Sequence, residues 1–181
     1  MKNIYQIDPA HSNVQFSVRH LMLSNVRGTF SGVTGTVIYD PAKPEATSVE
    51  AKVDVHTVNT NDEKRDGHLK SPDFFDAAAY PTMTFASKRV EKTGTGEFKV
   101  TGDLTIHGVT REVALTAEEV TEESNDPWGK VRIGASIKGK IKRADFGVTW
   151  NSALEAGGVV IGDEVKLEFD LQLVKAESAT A

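Results

Sequence analysis

Five histidines are the residues of this chain whose type most invites chemistry: His11, His20, His56, His68 and His107. Imidazole binds metals and moves protons near neutral pH, and Asp8, Asp66 and Asp73 are carboxylates that could complete a ligand set with them. The spacing gives no preformed site. No pair stands as His-x-x-x-His or His-Glu-x-x-His, and the chain has no cysteine. That removes thiol nucleophiles, disulfides, iron–sulfur clusters and zinc–thiolate sites together. Two readings stay open: a metal-dependent hydrolase assembled from distant His and Asp side chains, or histidines that pin turns. Asp8-Pro9-Ala10-His11-Ser12 and Ile106-His107-Gly108 fit the second, so no catalytic residue and no metal ligand is assigned, and no cofactor is expected.

Other catalytic signatures are missing as well. Serines are plentiful, but none sits in a Gly-x-Ser-x-Gly elbow. Gly94-Thr95-Gly96 and Gly157-Gly158 look like hairpin turns rather than phosphate cradles. The net charge of −5 argues against nucleic acid as a partner, because that binding rests on clustered Lys and Arg. The densest basic stretch, Lys138-Gly139-Lys140-Ile141-Lys142-Arg143, alternates with apolar or small residues as the wet face of a strand does. Nothing approaches the ~20 consecutive apolar residues of a membrane span. No apolar run precedes Asp8, so no secretory signal is read and a cytoplasmic location is expected, or a periplasmic one if a signal has been removed.

Period-two alternation runs through the chain and supplies the elements. Val14, Phe16 and Val18 form one apolar row. Val49, Ala51, Val53 and Val55 form another, and Phe98, Val100, Gly102, Leu104 and Ile106 a third. The longest rows are Val131, Ile133, Ala135, Ile137, Gly139 and Ile141, and then Val165, Leu167, Phe169, Leu171 and Leu173. Weaker strands are read over 30–39, 83–90 and 109–120, giving about eight antiparallel strands with one apolar face each. Helix is scarce. The region 61–79 is the best candidate, capped by Asn61 or Asp62, with a second start at Ser71-Pro72. A brief helical turn is read over 20–24. The chain reads as one domain over 1–175, with a small polar tail, 176–181, expected to be disordered.

One-faced strands without covering helices make a sandwich or a barrel. Strand length favours the barrel: Val131 to Ile141 spans roughly 34 Å at ~3.4 Å per residue, whereas strands are usually nearer ~5–6 residues. Ala51, Gly102, Ala135 and Gly139 place small side chains in the inward rows. They leave either cavity volume or close-contact positions, and both readings stay open. A cavity bounded by these rows is apolar and suits a long hydrocarbon.

Segments across nearly the whole chain resemble one family. They include Ile7-Asp8-Pro9-Ala10-His11-Ser12, Phe16-Ser17-Val18-Arg19-His20-Leu21, Gly28-Thr29-Phe30 and the run from Asp66 to Asp76. Tyr80-Pro81-Thr82-Met83-Thr84-Phe85, the run from Gly102 to Thr110, and Arg143-Ala144-Asp145-Phe146-Gly147 complete the ordered set. The chain is similar in these to the YceI-like family. The resemblance implies an all-β fold, an extended eight-stranded antiparallel lipocalin-like β-barrel with a short helical insertion. It further implies that the interior binds a polyisoprenoid or similar amphiphile; with no catalytic motif in the chain, the expected role is non-enzymatic carriage or storage of an isoprenoid or quinone-type lipid. A homodimer is compatible with this family type. The alternative to a container is a solid barrel acting as a protein-interaction module.

The expected ligand contacts follow from the inward rows: Phe16, Val18, Phe30, Phe85, Leu104, Ile106, Ile137 and Phe169. Phe74 and Phe75 end the interstrand segment 62–80, which also carries Lys64, Arg65, His68 and Lys70. That segment reads as a lid whose cations meet a head group, as a structural plug, or as both. His20 is expected at the mouth, donating to a head group, with Phe146 and Trp150 at an entrance.

Overall fold

Apolar-polar alternation needs a partner strand on each edge, and in the computed structural model the strands find partners all the way round. The structure describes residues 2–155 and 157–177. In these, one antiparallel sheet contains β1 (Asn3–Ile7), β2 (Val14–His20), β3 (Ser24–Phe30), β4 (Val33–Tyr39), β5 (Ser48–Asp54), β6 (Thr82–Gly94), β7 (Glu97–Ile106), β8 (Val109–Glu118), β9 (Ser124–Asn125), β10 (Val131–Lys142) and β11 (Ile161–Lys175). A ring closes through β1, β4, β5, β6, β7, β8, β10 and β11, with β11 returning to β1. This is the eight-stranded barrel that the alternation and the resemblance lead one to expect.

β1 and β2 share one position in the ring. Tyr5–Ile7 pair with the end of β11, at Leu173–Lys175, and Phe16–His20 pair with its beginning, between Ile161 and Leu167. The segment 8–13 interrupts what is otherwise one long strand. Pro9 offers no amide donor there. Asp8 holds the turn, its carboxylate accepting from the Ala10 amide at 3.0 Å and meeting His11 Nδ1 at 2.9 Å.

Three readings of the sequence need correction. The segment 20–24 is not helical: it is the tight turn of the β2–β3 hairpin, closed by the Leu23 amide donating to the His20 carbonyl at 3.0 Å. β3 escaped notice because Ser24-Asn25-Val26-Arg27-Gly28-Thr29 offers a single large apolar side chain, and the strand read over 30–39 is in fact the end of β3 and all of β4. In the segment 61–79 only α1 (Glu63–Lys70) is helical. Asp62 caps it, accepting from the Arg65 amide at 3.0 Å. Ser71 ends that helix rather than starting another. Its hydroxyl donates to the His68 carbonyl at 2.6 Å, and its carbonyl accepts from the amides of Phe74 and Asp76 in a sequence of turns. Of the tail expected after Lys175, residues 178–181 lie outside the described residues.

The packed core is divided. At the α1 end of the barrel Phe30, Val55, Val58, Phe74, Met83, Ile106 and Phe146 form one buried cluster. At the far end Val90, Phe98 and Ala117 form a small one. Tyr5, Ile7, Val33, Ile133 and Leu173 pack along the wall between them. Each fully buried Phe or Ile contributes about 1.5–3 kcal/mol, so a plugged α1 end, a small far cluster and one packed wall hold the barrel without filling it.

Candidate ligand-binding site

The barrel is hollow. A cavity of about 1120 Å³ reaches from Lys64, Arg65 and His68 at the α1 end to Thr95, Glu122 and Glu123 at the other. Pockets for drug-sized ligands are roughly 300–1,000 Å³, so this space lies at the upper end of that range. Its presence removes the solid-barrel alternative.

All thirteen residues singled out from the sequence lie on the cavity wall. β2 supplies Phe16, Val18 and His20, β3 Phe30, β6 Phe85, β7 Leu104 and Ile106, β10 Ile137 and β11 Phe169. Phe74 and Phe75 come from the turns after α1, and Phe146 and Trp150 from the segment after β10. Phe16, Val18, Phe85, Leu104, Ile137 and Phe169 face inward yet are only half-buried. A filled core would bury them completely; here they border empty space.

The small inward residues divide between the two readings left open. Ala51 and Ala135 line the cavity and give it width. Gly102 and Gly139 do not: a Cβ on Gly102 would lie 2.4 Å from the Ala86 carbonyl oxygen, and one on Gly139 2.5 Å from Leu115 Cδ2. Those two glycines permit close approach of neighbouring strands and of Leu115, and they add no room.

Aromatic rings gather at the α1 end. Phe16 meets Phe30 at 5.5 Å between centroids, and Phe30 meets Phe75 edge-on at the same distance. His68 stands edge-on to both Phe74, at 5.0 Å, and Trp150, at 4.9 Å. Helix α1 has almost no apolar face of its own, and polar bonds position it. Asp66 accepts from the Thr60 amide at 2.9 Å and from its hydroxyl at 2.5 Å, while Arg65 Nε donates back to Thr60 Oγ1 at 2.8 Å. The Asp73 carboxylate, 2.8 Å from Nε2, orients the His68 ring.

Sequence reasoning missed two cavity-lining arginines, Arg19 and Arg143. Arg143 holds the segment before β11 in place: Nε donates to the Gly162 carbonyl at 2.9 Å, and Nη1 to those of Val148 and Trp150 at 3.1 and 3.3 Å. Burial pulls its pKa down, partly opposed by Asp163, but an arginine stays charged at neutral pH. No local motif announces a guanidinium whose partners are three carbonyls. The tyrosines Tyr5 and Tyr39 on the wall were also missed, although both fall on the inward phase of β1 and β4.

The far end has the opposite character. The Tyr5 hydroxyl donates to the Glu123 carboxylate, which also accepts from Lys175 Nζ at 2.8 Å. Burial, followed by the bond to Glu123, raises the Tyr5 phenol far above its usual range, so it stays protonated. Lys175, and then Tyr5, hold Glu123 below the ordinary carboxylate value. The α1 end of the wall therefore carries more cations, Arg19, Lys64, Arg65 and Arg143, than carboxylates, with Asp62 among them, whereas at the far end Lys92 and Lys175 stand beside Glu122 and Glu123.

The histidines do not converge. His11 pairs with Asp8 and His68 with Asp73, His107 packs against the Tyr80 ring at 5.0 Å, and His20 is on the cavity wall. Asp66 is occupied by Thr60. Among the described residues no three His, Asp or Glu side chains come close enough together to hold a metal ion.

A closed eight-stranded antiparallel barrel around a long apolar cavity, plugged at one end by a single helix and its turns, defines a lipocalin-like protein. Residues 5–173 match the model of the YceI-like domain, and the chain belongs to the YceI-like family. It is 42% identical to Protein YceI of Escherichia coli O157:H7 over 146 residues, 80% of this chain and 75% of that one. Among solved structures it is similar to BcnA of Burkholderia cenocepacia, with a TM-score of 0.80 and 26% identity over 92% of this chain and 98% of that one. A polyisoprenoid binding domain from Saccharophagus degradans shares the fold at a TM-score of 0.66 and 18% identity, over 95% and 98% of the two chains. Among the described residues no helix is long and apolar enough to cross a membrane.

Proposed function

We propose that the protein binds a long isoprenoid lipid, of polyprenyl or quinone type, inside the barrel and carries or stores it without transforming it. The observation that carries this reading is the hollow interior, whose inward phenylalanines and aliphatic residues border about 1120 Å³ of space. Burying one methylene contributes about 0.8 kcal/mol, so on the order of twenty carbons supply roughly 16 kcal/mol before the costs of association. An apolar chain needs no polar anchor to bind tightly here. The polyisoprenoid binding domain from Saccharophagus degradans, which has the same fold, supports the choice of an isoprenoid chain.

The charge distribution supports an orientation. Arg19, Lys64, Arg65 and Arg143 border the cavity at the α1 end beside Asp62, an excess of cations, whereas Glu122 and Glu123 at the far end stand with Lys92. A phosphate or other electron-rich head group is favoured beside the cations, with the tail running toward Tyr39 and Phe98. Carriage is favoured over hydrolysis because the wall between these ends is apolar and offers neither a nucleophile with a base beside it nor a water-activating group.

The test is uptake from detergent. Protein incubated with micellar polyprenyl phosphate or ubiquinone is passed through gel filtration, and the protein peak is extracted. Stoichiometric recovery of unmodified lipid is expected. No recovery of any isoprenoid, or recovery of a cleaved product, overturns the reading.

A further inference from the structure

The β2–β3 hairpin carries large apolar side chains where a folded chain least favours them. Leu21, Met22 and Leu23 form its tip and are 39%, 53% and 77% exposed. The two central residues, Leu21 and Met22, have φ of 52° and 60°. Such a turn, with both central residues left-handed, is the one for which Asn-Gly is the favourable choice. A bulky L-residue there costs on the order of 1 kcal/mol. The tip is thus disfavoured twice, by backbone conformation and by solvent exposure, and folding explains neither. Scattered exposed leucines need no explanation; three in a row on a strained turn do.

Its surroundings indicate what it meets. The tip stands on the rim of the α1 end, where the neighbouring Arg19 and His20 line the cavity. The Leu21 amide donates to the Val160 carbonyl at 2.7 Å, and Met22 lies against Gly158, whose Cβ, were there one, would be 3.2 Å from Met22 Cγ. Val159, in the same loop, adds a further exposed apolar side chain. From Val14 to Phe30 the hairpin contains Arg19, Arg27 and His20 and no carboxylate, in a protein whose net charge is −5. Arg19 Nη2 donates to the Met22 carbonyl at 3.3 Å, which places its charge beside the apolar tip. Apolar side chains with an arginine beside them suit an anionic bilayer surface: the former enter the headgroup boundary, and the latter meets a phosphate.

We propose that the Leu21-Met22-Leu23 tip, with Val159, is a docking element for anionic phospholipid bilayers, seating the α1 end of the barrel on the membrane so that the apolar ligand passes between bilayer and cavity. The transfer role rests on the carrier reading above; the docking itself does not. Among the described residues the α1 rim has three consecutive exposed apolar side chains beside Arg19, whereas the far end presents Glu122 and Glu123, and Ile4 and Trp128 are exposed singly.

The test compares the parent with the triple variant Leu21→Asn, Met22→Gly, Leu23→Ser, in flotation with phosphatidylglycerol/phosphatidylethanolamine vesicles and with phosphatidylcholine vesicles. Asn-Gly is the favourable sequence for this turn, so the variant is expected to fold with an unchanged or raised Tm. The parent is expected to float with the anionic vesicles and much less with the neutral ones, and the variant to bind the anionic vesicles at least about tenfold more weakly. Isoprenoid uptake from detergent is expected to be equal in both, with transfer from anionic vesicles slowed only in the variant. A parent that does not bind vesicles, or a variant that binds them as the parent does, overturns docking. A parent that sediments as a dimer and a variant that sediments as a monomer, neither binding vesicles, would assign the tip to a second copy instead and likewise overturn it. Vesicle binding lost in the variant while neither protein takes up isoprenoid would leave docking standing and remove the carrier reading.

Discussion

The His68 ring stands edge-on to the Trp150 indole with 4.9 Å between centroids, joining helix α1 to the segment that Arg143 fixes before β11. Asp73 orients the imidazole from the other side, so the contact ties helix α1 to that segment across the α1 end. Trp150 is only partly buried and packs on the edge of the α1-end core rather than within it. Trp150→Ala is expected to speed release of a bound isoprenoid about tenfold while costing less stability than the ~3–5 kcal/mol of a fully buried aromatic. Stopped-flow displacement together with urea unfolding measures both. An unchanged release rate would show that the contact is not a gate.

Of the lid and plug readings that the sequence left open for the segment 62–80, the burial of Phe74 fits the plug. Phe74 is 5% exposed and belongs to the buried cluster at the α1 end. Phe74→Ala is therefore expected to destabilise by about 3–5 kcal/mol, with ligand affinity falling as a consequence. Phe75→Ala, at a partly buried ring, is expected to lower affinity with a smaller change in Tm. Equal stability losses in the two variants would refute this division between plug and wall.

The two kinds of small inward residue give opposite expectations for the same type of substitution. Ala135→Phe projects into the cavity and is expected to block ligand uptake with little loss of stability, since it fills apolar space. Gly102→Ala meets the Ala86 carbonyl and is expected to cost about 1–3 kcal/mol without narrowing the tube. Thermal unfolding and lipid uptake on both variants check this. A severely destabilised Ala135→Phe would mean that the wall there is already packed.

At acid pH the weak point is the turn between β1 and β2. Arg132 donates to Asp8 at 2.6 Å and to Asp126 at 2.7 Å. The Arg132 hydrogen bond first, and that of His11 second, pull the Asp8 carboxyl down to about 2, below the usual carboxylate range. A depressed carboxylate pKa means stability that is fully present above the unfolded value and lost as pH falls through the folded one. Unfolding midpoints are thus expected to drop between about pH 4 and 2, and Asp8→Asn to flatten that part of the curve. A profile unchanged in Asp8→Asn would place the acid sensitivity elsewhere.

Much of this architecture was legible because alternation is a direct record of which side of a sheet a residue occupies. The rows at Phe98–Ile106, Val131–Ile141 and Val165–Leu173 read out β7, β10 and β11, and their phase put Leu104, Ile137 and Phe169 on the inner wall. Where the pattern carried little apolar content it failed, as in β3, whose pairing with β2 is set by its neighbour rather than by its own side chains. Helix α1 was readable from the Asp62 cap, but its length was not, because the turns after Ser71 depend on contacts with Phe30 and Trp150. The hollow itself is a property of summed side-chain volume. Ala135 and Gly139 look alike in the sequence, and only the position of Leu115 shows that one makes space and the other fills it.

The central claim is that the barrel is a container, and native mass spectrometry of the purified protein followed by organic extraction tests it most directly. The expected result is a mass shift matching one isoprenoid-type lipid per chain, absent from Ala135→Phe and recovered intact in the extract. A spectrum of the bare chain that stays bare after incubation with polyprenyl phosphates and quinones would contradict the account.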